Sequence, residues 1–140
     1  MSYLVRWYEH RQLIKTGEQY SMTPINQPRI FNLHSDEALE ITNSAYGSVG
    51  SLFTGEGIEA VWVKKEEEEI DTDWFEQPMV DLILVVQGQL KVEFEREDLG
   101  SRVLEPGEML VLPANTRCRA YRWPRQASED SIFLAVYPIK

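Results

Sequence analysis

The residue with the plainest chemical potential is Asp81, a lone carboxylate inside Val80-Asp81-Leu82-Ile83-Leu84-Val85-Val86. An ionised carboxylate is costly to bury unless it is paired. Asp81 therefore has two readings. It is an acid on a pocket floor, its proton affinity raised to suit general acid–base work, or it is held by Arg122 or a backbone donor. Arg122 lies in Cys118-Arg119-Ala120-Tyr121-Arg122-Trp123, where strand alternation puts it on one face with Cys118 and Ala120. An inward guanidinium grips a carboxylate or phosphate through a fork of donors, unless Asp81 or Glu76 neutralises it. Cys118 would need a base or a positive neighbourhood to act as a thiolate. Its sequence neighbours Arg117 and Arg119 point to the opposite face, so an inert core thiol is expected. Trp62, Trp74, Phe75 and Trp123 either stack on a planar or sugar ligand or fill the core. The acids Glu66 to Glu69 read as a solvated loop, because metal ligands must converge rather than merely adjoin.

These groups fall on short strands. From Gly47 onward, turn signals recur about every eight to twelve residues, the rhythm of a β-sandwich or barrel. Strands are expected at Glu59–Lys65, Val80–Gln87, Gln89–Glu95, Arg102–Leu104, Met109–Leu112, Cys118–Trp123 and Ile132–Tyr137. Gln87-Gly88-Gln89, Pro106-Gly107 and Pro113-Ala114-Asn115 supply turns, with Asn115 suited to a positive φ. Leu90, Val92 and Phe94 alternate with Lys91, Glu93 and Glu95, which gives one buried and one wet face. Val80–Val86, Met109–Leu112 and Ile132–Val136 are apolar on both faces, so their outer side needs a cover. The N-terminal segment or a second subunit would supply it, and a homodimer is the economical solution.

Residues 1–46 form an N-terminal extension to a barrel at 47–140. Tyr3, Leu4, Trp7, Tyr8 and Ile14 suggest a helix over Ser2–Thr16, with a strand as the alternative. Arg29–Leu33 suits a short strand, and Ser35 caps a turn of helix at Asp36–Glu40.

The chain has 140 residues, the size of one domain, and a formal net charge of −9. Such acidity disfavours nucleic acid and anionic membrane surfaces as partners. No run approaches membrane-spanning length, and the first residues lack the pattern of a signal peptide. A single cysteine excludes an internal disulfide and suits the cytoplasm.

From Trp74 to Gly107 and beyond, the chain resembles the cupin superfamily. That family's first motif reads Gly-x5-His-x-His-x3–4-Glu-x6-Gly and its second Gly-x5-Pro-x-Gly-x2-His-x3-Asn. Gly88 matches the closing glycine of the first, and Asp81 stands at its glutamate. The paired histidines fall on Trp74 and Glu76, or on Phe75 and Gln77. In the second, Gly107 and Pro113 are kept, Asn115 replaces the next glycine, Cys118 stands at the histidine and Arg122 at the asparagine.

The resemblance implies an all-β, single-domain double-stranded β-helix, a jelly-roll barrel. It also implies that the three imidazoles that hold a cupin's metal are missing. A Glu76/Asp81/Cys118 set mixes hard oxygens with a soft thiolate and poorly suits the usual metals. No metal or other cofactor is therefore expected. The expected pocket for a small organic ligand comprises Trp74, Glu76, Gln77, Asp81, Cys118 and Arg122. Asp81 is the candidate base should the protein be a metal-free isomerase, epimerase or lyase acting on a sugar or carboxylic acid. A metal-dependent oxygenase is the least favoured alternative.

Overall fold

A computed structural model describes residues 27–44, 46–66 and 73–139. The expected helix at Ser2–Thr16 and His10 lie outside the described residues, as does the acidic run beyond Glu66. Among the described residues nine strands follow one another: β1 Ile41–Ser44, β2 Gly47–Gly55, β3 Ile58–Lys65, β4 Asp81–Gln87, β5 Gln89–Phe94, β6 Ser101–Leu104, β7 Met109–Leu112, β8 Cys118–Trp123 and β9 Ser131–Pro138. A single 3-10 turn, Glu97–Leu99, interrupts them between β5 and β6. The all-β expectation holds, and the seven anticipated strands fall within a residue of their expected limits.

The strands form two antiparallel sheets, one ordered β1-β2-β3-β9-β4-β7 and the other β6-β5-β8. Their inner faces follow from alternation. Val61 and Val63 of β3, Phe133 and Ala135 of β9, and Ile83 and Val85 of β4 meet Leu90 and Val92 of β5 and Ala120 of β8 in one core. The Gln87-Gly88-Gln89 turn carries the chain from one sheet to the other. A Cβ at Gly88 would come within 2.8 Å of the Asp130 carbonyl oxygen, and its φ of +66° is one that only glycine adopts freely. Asn115 takes its expected positive φ, 62°, in the β7–β8 loop.

Two N-terminal expectations are corrected. Arg29–Leu33 is not a strand, and Ser35–Glu40 is a hydrogen-bonded turn without a helix. The Ser35 hydroxyl does accept the Glu37 N–H at 3.2 Å, but the chain closes only a turn there, the Leu39 N–H donating to the Asp36 carbonyl at 2.9 Å. It is drawn along the outer face of the larger sheet instead. There the Trp62 indole donates to the Leu33 carbonyl at 2.8 Å. Asp36 lies 3.7 Å from Lys64, and Arg29 donates to the Leu52 carbonyl. Trp62 is outward-facing yet fully buried, so this strap covers part of the apolar outer face. Met109, Val111, Ile58 and Val80 remain exposed.

Candidate functional site

Strand direction decides which candidate residues can meet. β4 enters the barrel at Asp81 and leaves at Gln87, while β8 enters at Cys118, opposite Phe94, and leaves at Trp123, opposite Gln89. Asp81 and Cys118 therefore belong to the same end of the barrel. Asp81 pairs with Leu112 of β7, and an isolated bridge joins Phe75 to Cys118. Phe75 is part of the core, so the inward side of that segment carries Phe75 and Gln77. The backbone of Gln77 accepts the Asn115 N–H at 2.7 Å, which ties the segment to the β7–β8 loop.

Asp81 is completely buried, and among the described residues neither of its carboxylate oxygens has a hydrogen-bond partner. Burial pushes its proton affinity up from 3.8 to about 7, because the charged form has lost its water. The side-chain nitrogen of Gln77, also buried, is likewise unbonded. One register step beyond the Leu82–Val136 pair, Asp81 faces Tyr137 of β9. The Tyr137 hydroxyl donates at 3.2 Å to Glu59, which also receives the Thr54 hydroxyl at 3.1 Å. Glu59 is a second fully buried carboxylate on the inner face. Sequence reasoning passed over it, although its alternation with Val61 and Val63 was a usable signal.

Three expected members of the pocket stand elsewhere. Arg122 does face inward, but four residues along β8 from Cys118, about 13 Å at the usual strand rise. There it donates to the Arg125 carbonyl at 3.0 Å and pairs with Asp130 at 3.5 Å, not with Asp81 or Glu76. Trp74 and Glu76 have the opposite parity to Phe75 and Gln77. Trp74 lies outside the barrel with the Arg119 guanidinium 4.0 Å from its ring centroid. Arg119 in turn pairs with Glu93, which accepts the Tyr121 hydroxyl at 2.7 Å. Trp123 sits at the far end under Lys91. Cys118 is fully buried in the core, as its bland reading anticipated, with Arg117 and Arg119 turned away from it.

The donors present do not fit the metal that the family resemblance would imply. Among the described residues, no three or more His, Cys, Asp or Glu side chains gather closely enough to hold an ion. Glu59 and Asp81 are separated by the intervening β9. His34, the one described imidazole, is exposed and bonded to Gln87 outside the cup.

A groove of about 670 Å³ opens at the Asp81 end, in the seam between the edge strands β6 and β7. Its floor is Phe94, Leu110, Leu112 and Pro113, and its rim carries Arg96, Arg102, Arg117 and Glu95. Leu112 of β7 is the strand partner of Asp81 of β4, so the groove and the buried acid lie on adjoining strands, although neither Asp81 nor Gln77 is among the residues that line the groove.

No family model matches the chain, and no curated protein matches its sequence. Solved structures do match its fold. A protein of Ralstonia eutropha JMP134, provisionally named a mannose-6-phosphate isomerase, is 24% identical with a TM-score of 0.62, covering 81% of this chain and 100% of that one. An RmlC-like cupin of Shewanella frigidimarina NCIMB 400 is 16% identical with a TM-score of 0.60, covering 81% and 94%. A cupin 2 conserved barrel domain protein of Salinispora arenicola CNS-205 is 14% identical with a TM-score of 0.61, covering 81% and 91%. Two antiparallel sheets, the Gly88 and Gly107–Pro113 turns and these likenesses together establish the architecture: the chain has the cupin fold, a double-stranded β-helix.

Proposed function

We propose that this cupin-fold domain binds a small organic molecule at the Asp81 end of its barrel and works through a buried carboxyl rather than a metal. The observation that carries this reading is Asp81 itself, fully enclosed with both oxygens unbonded. Such a group is destabilising unless something compensates, and stability is commonly sacrificed where function needs a reactive side chain. The adjacent groove falls within the usual volume range of ligand sites. Of the expected pocket residues we assign Gln77 and Asp81, both buried, to this end of the barrel, behind the groove's lining rather than in it.

A second reading, acid–base catalysis of the isomerase, epimerase or lyase type, is favoured by the proton affinity of Asp81. A carboxyl that titrates near neutrality both takes and gives a proton at working pH. The provisional isomerase name of the Ralstonia neighbour is in keeping with it.

A thermal-shift screen of sugars and organic acids on metal-depleted protein tests both readings. The expected result is a ligand whose shift shrinks in Asp81→Asn, and a ligand whose composition changes with time would identify turnover. One tightly bound metal per chain, lost on Asp81→Asn, would overturn the metal-free reading.

The exposed Met109, Val111, Ile58 and Val80 support a homodimer through the outer face of the larger sheet. A sedimentation experiment yielding only monomer at high micromolar concentration would refute that. A cytoplasmic location, with neither nucleic acid nor membrane as partner, accords with the acidity and the free cysteine. Among the described residues, no helix is long and apolar enough to cross a membrane.

A further inference from the structure

The sequence suggested an anion site at Arg122, but that guanidinium is engaged at the other end of the barrel. We infer that the seam groove takes over this role: Arg102, flanked by Arg117 and Arg96, binds the carboxylate of a small organic acid whose apolar body lies on Phe94 and Leu110. This deepens the reading of the Asp81 end as a small-molecule site, and rests on it only for the end of the barrel the ligand occupies.

Charge is the first support. The chain carries a formal net charge of −9, yet the groove is lined by three guanidiniums and one carboxylate. A local reversal of sign against an acidic protein is a recognition feature, because the remaining surface repels the same ligand. The placement of Arg102 is the second support. It pairs with Val92 across β5–β6, two residues from the inward Leu104, so it springs from the barrel-facing side of an edge strand. Its Nη1 donates to the carbonyls of Leu99 and Ser101, both at 3.0 Å. Those bonds hold the guanidinium in place without neutralising it, and among the described residues Arg102 forms no ion pair. Its other donors are left for a ligand.

The two flanking arginines are held less firmly. Arg117 meets Glu95 at 2.8 Å, and Arg96 meets Asp98 through two donors at 3.2 and 2.7 Å, with all four side chains substantially exposed. An exposed pair such as Arg117–Glu95 contributes little net energy, so a ligand carboxylate can compete for Arg117, while the two-donor grip on Asp98 keeps Arg96 as a flanking charge. The floor supplies the rest of the specificity. Phe94 and Leu110, both partly exposed, offer apolar area, which favours an acid with a hydrocarbon or aromatic body over a bare inorganic anion.

The test compares phenylacetate with its neutral isostere phenylacetamide, by NMR amide titration of the full chain. Phenylacetate is expected to shift the amides of Phe94, Leu110 and Arg117. It should bind about tenfold tighter than the amide, the effect of one charge-assisted hydrogen bond, and weaken with added salt. Arg102→Gln should erase that advantage and leave phenylacetamide affinity unchanged. Equal affinity of the two ligands in the groove would overturn the anion assignment while leaving the small-molecule reading intact. No groove perturbation by millimolar phenylacetate, or an undiminished preference in Arg102→Gln, would overturn it as well.

Discussion

Replacing Asp81 by Asn removes the ionisation of a buried group while keeping its size, and the consequence depends on pH in a way that can be worked out. Below about pH 4 the carboxyl is protonated in folded and unfolded chains alike, so its burial costs no charge. Between pH 4 and about 7 the unfolded chain releases the proton and the folded chain keeps it. The unfolded state binds fewer protons there, so stability falls as pH rises. Above about 7 both states are ionised and the loss is complete. Raising the proton affinity from 3.8 to about 7 corresponds to about 4 kcal/mol, at roughly 1.4 kcal/mol per pH unit.

Asn does not titrate, so it escapes this loss. Near pH 4 the two proteins should differ only by the changed hydrogen-bonding capacity of the side chain. By about pH 8.5, Asp81→Asn should be the more stable by up to about 4 kcal/mol. Urea titrations across that range are the assay, and with a slope of about 2 kcal/mol per molar the midpoint should rise by about 2 M at high pH. A difference between the two proteins that stays flat across the range would refute the reasoning. It would mean that Asp81 titrates as an ordinary aspartate, either wetted or paired.

Three further outcomes follow from particular contacts. Tyr137→Phe removes the hydroxyl donated to the buried Glu59 and should lower stability by about 1–3 kcal/mol, the cost of taking a partner from a buried acceptor, read by chemical denaturation. Trp62→Phe breaks the indole bond to Leu33 and should loosen the strap across the outer face. Limited proteolysis within residues 28–40 should then accelerate, with little change in barrel secondary structure by circular dichroism. Cys118 is fully buried, so a thiol reagent should react with the native protein only at the rate of unfolding; fast stoichiometric labelling without loss of structure would revive the nucleophile reading.

Much of the fold was legible because alternation and turn chemistry agreed with one another. Leu90-Lys91-Val92-Glu93-Phe94 declares both its faces, and Gly88, Gly107 and Asn115 sit where the backbone demands a positive φ. β2 escaped notice because Gly47-Ser48-Val49-Gly50-Ser51 has little strand propensity of its own. It becomes a strand through its pairing with β3. Asp81 was legible for the opposite reason, as a carboxylate that its own strand cannot accommodate cheaply.

The remainder of the site depended on quantities that a sequence does not carry. Parity gave the correct face for Arg122 but not its height along the barrel, and height is what separates it from Asp81. The choice between Trp74/Glu76 and Phe75/Gln77 needed the register of one bridge, Phe75 to Cys118. The seam groove joins β6 with the β7–β8 loop, and only the folded edges of two sheets bring Arg102 and Leu112 to one place.

The most direct test of an organic acid bound beside a working buried carboxyl is a carbon-13 NMR titration of the Asp81 side chain in metal-depleted protein, with and without phenylacetate. The account predicts a midpoint of about 7 in the free protein, moving higher when a second negative charge fills the groove. A midpoint in the ordinary aspartate range, unmoved by the ligand, would contradict it.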